Sequence, residues 1–122
     1  MFEVGARTSV RARHRMPGQP PPEDELHEHD YLVEVTAERE RLNDRGMVCD
    51  LDVLTSCLSE VSGRVRDRDL SDVCGTEPVT VETLAAWIRG ELADAIRSEG
   101  VETLAVRVWE SDDAFGGARD RL

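Results

Sequence analysis

The chain contains three histidines, His14, His27 and His29, and their spacing suits metal chemistry. Alternate side chains of an extended strand share a face. Counted in twos, Phe2, Val4, Ala6, Thr8, Val10, Ala12 and His14 form a mostly apolar row that ends on an imidazole. The interleaved row of Glu3, Arg7, Ser9, Arg11 and Arg13 is polar. After a break from Arg15 to Leu26, the row His27, His29, Tyr31, Val33 and Val35 repeats the pattern in reverse, imidazoles first. If the two strands pair antiparallel, the end of one lies beside the start of the other, and three imidazoles converge at one end of a sheet. Three neutral imidazoles on rigid strands, with a fourth position open to water or substrate, are what a catalytic zinc site requires. The same spacing also fits polar groups at a strand end and a hydrogen-bonded core histidine, and spacing alone does not choose among these.

Cys49, Cys57 and Cys74 are odd in number and lack a Cys-x-x-Cys spacing, which predicts reduced thiols packed as small hydrophobes. None lies in the histidine segments, so proximity in sequence does not suggest a Cys/His nucleophilic pair.

The elements that must position the histidines follow from periodicity. Met1 to His14 alternates as a strand, and a second strand is predicted from about His29 to Ala37. Pro17, Gly18, Pro20, Pro21 and Pro22 punctuate the loop between them, which ends in the acidic run Glu23, Asp24, Glu25. Asp50 can cap a helix carrying Leu51, Leu54, Leu58 and Val61 at helical spacing, closed near Gly63. Arg64 to Pro78 reads as polar and irregular. Thr80 can cap a second helix with the stripe Leu84, Ala85, Ile88, Leu92, Ala95 and Ile96, ended by Gly100. Val101 to Glu110 returns to strand, and the remainder has room for one short fourth strand. The order strand, strand, helix, helix, strand, strand predicts an α+β domain over residues 1–122, a four-stranded antiparallel sheet with two helices on one face.

Composition restricts the partners. The net charge of -11 arises from 26 acidic against 15 basic residues, and every basic residue is arginine. An acidic surface of this kind excludes nucleic acid or an anionic membrane as the main partner, because both require clustered positive charge. No apolar run is long enough to span a bilayer and no leader pattern is evident, so a soluble, cytoplasmic protein is expected.

Several segments together resemble the 6-pyruvoyl-tetrahydropterin synthase and 6-carboxy-tetrahydropterin synthase family, over nearly the whole chain. His14 matches the family's lone histidine after the first strand, and His27-Glu28-His29-Asp30-Tyr31 resembles its His-Gly-His-Asn-Tyr. Gly46-Met47-Val48-Cys49-Asp50-Leu51 is similar to Gly-Met-Val-Val-Asp-Phe, Thr80-Val81-Glu82-Thr83-Leu84-Ala85 to Thr-Ala-Glu-Asn-Leu-Ala, and Glu110-Ser111 to Glu-Thr. Each motif is weak alone, and their order makes the set specific.

The resemblance implies the tunnelling fold, in which subunits join their sheets into a barrel and two rings stack as a hexamer. It implies a pocket between subunits, with Zn2+ on His14, His27 and His29 gripping the side chain of a dihydropterin. Glu110 would anchor the pterin ring by accepting from its N–H groups, a pairing that suits one ionised carboxylate. Thr80 and Glu82 would also bind substrate, although capping and the helix dipole explain both without it.

The departures from the family bear on catalysis. The family's catalytic cysteine precedes the His-x-His, where this chain has Glu23, Asp24 and Glu25. The family's Leu-Asp-His relay falls on Val65-Arg66-Asp67, or with the register slipped by one places Asp67 on the aspartate and Arg68 on the histidine. Some family members carry glutamate for the cysteine and cleave the dihydroneopterin side chain toward a 6-hydroxymethyl pterin. Glu23 is the expected base on that pattern, with Asp24 and Glu25 as neighbours and the alternative being a solvated acidic loop. Arg13, Arg15, Arg66 and Arg68 are the basic residues nearest the implied site for a triphosphate. The functions to be separated are a zinc-dependent pterin lyase or synthase, a zinc- and pterin-binding protein without turnover, and a scaffold with structural zinc.

Overall fold

The computed structural model describes residues 1–122. Strands β1 (Phe2–His14) and β2 (His27–Arg39) are followed by helices α1 (Leu51–Gly63), α2 (Leu70–Cys74) and α3 (Val81–Ile96), a 3-10 turn at Arg97–Glu99, and strands β3 (Thr103–Trp109) and β4 (Phe115–Arg121). The four strands pair antiparallel in the order β1-β2-β3-β4. Helix α1 packs on β1 and α3 on β3 and β4, so the expected α+β layering is the observed one.

Alternation sets which face is covered. Val10 and Ala12 of β1, Tyr31, Val33, Val35 and Ala37 of β2, and Leu104, Val106 and Val108 of β3 are buried against Leu54, Leu58, Leu84, Ile88 and Leu92 of the helices. Burying each large aliphatic side chain contributes about 1.5–3 kcal/mol, enough for this layer to decide the register. The opposite face is charged: Glu34 stands between Arg7 and Arg107 in the ladder, and Arg11–Asp30 and Arg119–Glu38 pair at 3.0 and 2.9 Å.

Helix α2 corrects the reading of Arg64 to Pro78 as irregular. Asp69 accepts from the Ser71 N–H at 3.0 Å, and Gly75 ends the helix at φ 73°. Five residues are too few to display a 3.6-residue period, so the cap and the terminal glycine were the only local signals. Strand β2 also extends two residues beyond the expected span at each end, which brings His27 into the ladder.

Two contacts set the surroundings of the histidines. A Cβ on Gly116 would lie 2.6 Å from Val81 Cγ2 and 3.0 Å from the Glu82 backbone nitrogen, so only glycine lets the start of α3 rest directly on β4. On the outer edge of β1, the Asp67 N–H donates to Arg11 O at 2.7 Å and the Arg13 N–H to Arg68 O at 2.9 Å. This short strap covers the end of an otherwise open edge strand.

Candidate metal centre

The ladder places His14 opposite His27 and Ala12 opposite His29. The imidazoles therefore meet at one corner of the helix-covered face, with ring centroids 4.6, 5.1 and 4.9 Å apart. One nitrogen from each ring lies within 4.8 Å of the other two, so the three can hold a metal ion.

Hydrogen bonds from the rings select the atoms that would bind it. His14 Nδ1 lies 2.9 Å from the Val79 carbonyl oxygen, and His27 Nδ1 lies 2.7 Å from that of Glu25. A carbonyl can only accept, so each neutral ring donates from Nδ1 and keeps its lone pair on Nε2. His14 Nε2 is buried with no partner in the protein. His27 Nε2 and His29 Nε2 face one another at 3.1 Å. Nitrogens this close share either a hydrogen, His29 Nε2–H donating to the free lone pair of His27, or a metal ion bound by both. The donor set thus fits a cation bound by nitrogen, and a partner for His14 Nε2 removes the cost of a buried orphan.

The electrostatics favour a neutral His29. Burial is the main cause pushing the His29 pKa below its ordinary 6.5; Glu110 opposes the shift, and the other two imidazoles reinforce it. Tyr31 forms a wall behind the site, its ring centroid 6.2 Å from that of His14 and 5.6 Å from that of His29. Its hydroxyl is buried without a partner, and burial, then Glu110, raises its pKa.

Two carboxylates reach the cluster. Glu23 Oε2 is 3.4 Å from His27 Nε2, and Glu110 Oε1 is 3.6 Å from His29 Nε2. Asp24 is exposed beside Glu23, in the loop but without contact to the rings. Thr80 caps α3, its Oγ1 accepting from the Thr83 N–H at 3.1 Å, one residue after the Val79 carbonyl that holds His14. Glu82 rests against Gly116.

Asp67 is placed elsewhere. It adopts φ 57° in the strap on the β1 edge and shares a concavity with Ser9, Arg11, Asp30 and Arg66 on the charged face. Within one chain it is not brought to the imidazoles. The arginines are likewise dispersed: Arg13 donates to Asp67 O, and Arg15 pairs with Glu77 at 3.6 Å. The three cysteines are free, with Cys49 buried and the Cys74 thiol pushed up to about 11 by burial. Sequence reasoning did not find the Val79 and Glu25 carbonyls, since any residue supplies one, nor Tyr31 as a wall.

A model of the family described as 6-pyruvoyl tetrahydropterin synthase matches residues 3–120. The chain belongs to the 6-pyruvoyl tetrahydropterin synthase family. Among solved structures, that of the Plasmodium falciparum 6-pyruvoyl tetrahydropterin synthase is similar at 15% identity and a TM-score of 0.78, covering 99% of this chain and 98% of that one. The Caenorhabditis elegans 6-pyruvoyl tetrahydropterin synthase is similar at 20% identity and 0.76, covering 98% and 95%. A Plasmodium vivax 6-pyruvoyltetrahydropterin synthase, solved with alanine in place of a catalytic glutamate, is similar at 15% identity and 0.79, covering 99% and 98%. At these identities the likeness to the synthase structures is one of fold. A sequence comparison with curated proteins finds no match.

Proposed function

We propose that this member of the family is a zinc-dependent lyase or synthase acting on the side chain of 7,8-dihydroneopterin triphosphate or a related dihydropterin. The observation that carries the reading is the three-imidazole corner, with Nε2 left free on His14 and His27 and carboxylates on two sides. Zinc, when bound, would supply a Lewis acid for a side-chain oxygen. Imidazole also suits other transition metals, and zinc is the choice most consistent with three nitrogens and an open position.

In this reading Glu23 is the base. Its carboxylate lies 3.4 Å from a ligating nitrogen, close enough to take a proton from a side chain held at the same centre. Asp24 follows it in the same loop and is the reserve carboxylate. The glutamate named as catalytic in the P. vivax protein supports a carboxylate in this role. Glu110 receives the pterin N–H groups, and Thr80 and Glu82 line the approach from the start of α3. Asp67 acts only if the pocket lies between subunits, where the β1 edge of one chain meets its neighbour. A homohexamer of two stacked rings supplies such a pocket. We place the protein in the cytoplasm; no helix is long and apolar enough to cross a membrane.

A second reading, binding of zinc and pterin without turnover, is favoured by two specific observations. There is no fourth histidine to accompany Asp67, and the loop before His27 contains no cysteine. Incubating zinc-loaded protein with 7,8-dihydroneopterin triphosphate and following products by mass spectrometry separates the two. A new pterin lacking part of the side chain is expected. Tight binding with the triphosphate recovered unchanged would replace the first reading by the second.

A further inference from the structure

Tyr31 is the only tyrosine of the chain, and it is 1% exposed. Its hydroxyl is buried and makes no hydrogen bond. Leaving a buried hydroxyl unpaired costs free energy, so native proteins seldom keep one without a use for it. Burial, and then the charge of Glu110, keep the phenol in its O–H form, ready to donate. The ring itself is fixed, packed edge-on against His14 and tilted on His29, with centroids 6.2 and 5.6 Å away.

The ladder shows which acceptor stands nearest. Leu32 pairs with Trp109, so one step further along both strands Tyr31 lies opposite Glu110. Parity puts Tyr31 with Val33, and Glu110 with Val108, on the helix-covered face. Side chains directly opposite in an antiparallel pair start with Cβ atoms about 4.5–5.5 Å apart. The Glu110 backbone is held where its N–H donates to Ala114 O at 3.1 Å, while its side chain remains 41% exposed. That side chain leans toward the diagonal neighbour, His29, and Oε1 stops 3.6 Å from Nε2, too far for a hydrogen bond. A donor without an acceptor thus faces an acceptor without a donor, and only the carboxylate is free to turn.

We propose that Tyr31 is a positioning residue: its hydroxyl donates to the Glu110 carboxylate as that carboxylate turns from His29 to the N–H groups of a bound ring. The proposal rests on the reading of Glu110 as the acceptor for those groups. A carboxylate has about four lone-pair sites, so it accepts the phenol and two ring N–H groups together. The phenol restricts the rotation of a side chain that is otherwise loose, and the ordering cost of binding falls accordingly.

The test uses full-length, zinc-loaded protein and neopterin. Tyr31→Phe removes a hydroxyl that is unpaired in the free protein, so its urea midpoint is expected to equal or exceed that of the wild type. The neopterin dissociation constant is expected to rise about tenfold, with no further rise when Tyr31→Phe is added to Glu110→Gln. Because the chain has one tyrosine, labelling its oxygen-bearing ring carbon with 13C gives one resonance. Saturation with neopterin is expected to move that signal in the wild type and to leave it in place in Glu110→Leu. An unchanged constant in Tyr31→Phe, a full additional loss in the Glu110→Gln background, a lowered urea midpoint, or a signal that moves equally in Glu110→Leu would each overturn the proposal. Neopterin bound as tightly by Glu110→Gln as by the wild type would instead overturn the reading of Glu110, and this proposal with it.

Discussion

His14 Nδ1 and the Val79 carbonyl oxygen, 65 residues apart in sequence, meet at 2.9 Å where the end of β1 passes beneath the start of α3. The hydrogen bond ties the orientation of one imidazole to the seating of a helix. That seating depends in turn on Gly116, whose missing Cβ admits Val81 and Glu82.

Gly116→Ala should therefore act at a distance. The new methyl would meet Val81 Cγ2 at 2.6 Å and backbone at 3.0 Å, forcing the start of α3 outward. A loss of about 1–3 kcal/mol in urea unfolding is expected, with weaker zinc binding in chelator competition. Unchanged metal affinity despite the lost stability would show that His14 does not depend on Val79 for its orientation.

His27→Ala and His29→Ala should each abolish stoichiometric metal, measured by elemental analysis of the purified protein. Each removes one of three nitrogens that lie within 4.8 Å of one another. A full complement of metal in either variant would rule out a centre built on these rings.

The pH dependence follows from the direction of the His29 shift. Its folded-state pKa is depressed below 6.5, chiefly by burial. The unfolded chain therefore binds the proton more readily, so stability is intact above pH 6.5 and is lost as pH falls from there through the folded value. Denaturant midpoints of the metal-free protein should fall across that interval. Glu110→Gln removes the charge that opposes the shift, so the loss should deepen. A flat profile in the wild type would contradict the assignment of a neutral, half-buried His29.

Glu110→Gln should also weaken pterin binding. An ionised carboxylate accepting from ring N–H groups contributes about 1.5–3 kcal/mol, so a dissociation constant raised about tenfold to hundredfold is expected in a fluorescence titration with neopterin. Metal content should stay at the wild-type level. An unchanged constant would remove Glu110 from the pterin site.

Much of this corner was legible in the chain because it depends on local rules. Alternation is forced by the extended backbone, so His14 shares a face with Val10 and Ala12, and His29 with Tyr31, whatever surrounds them. Antiparallel pairing then brings the imidazoles together, and the caps at Asp50 and Thr80 were readable for the same reason. The identity of the residues also restricted the family.

Tertiary structure decided what depends on backbone from distant segments. Nothing in the identities of Val79 and Glu25 marks their carbonyls as acceptors for His14 and His27, yet those two bonds determine which nitrogens stay free. Sequence put Glu23 first with Asp24 and Glu25 as its neighbours, and the folded loop turns Glu23 to His27 while Asp24 stays in solvent. Asp67, expected near the reaction, follows the strap to the β1 edge and the opposite face. Side-chain parity is a property of each strand alone, whereas the aim of a carbonyl or a loop carboxylate exists only once helix, loop and sheet have packed.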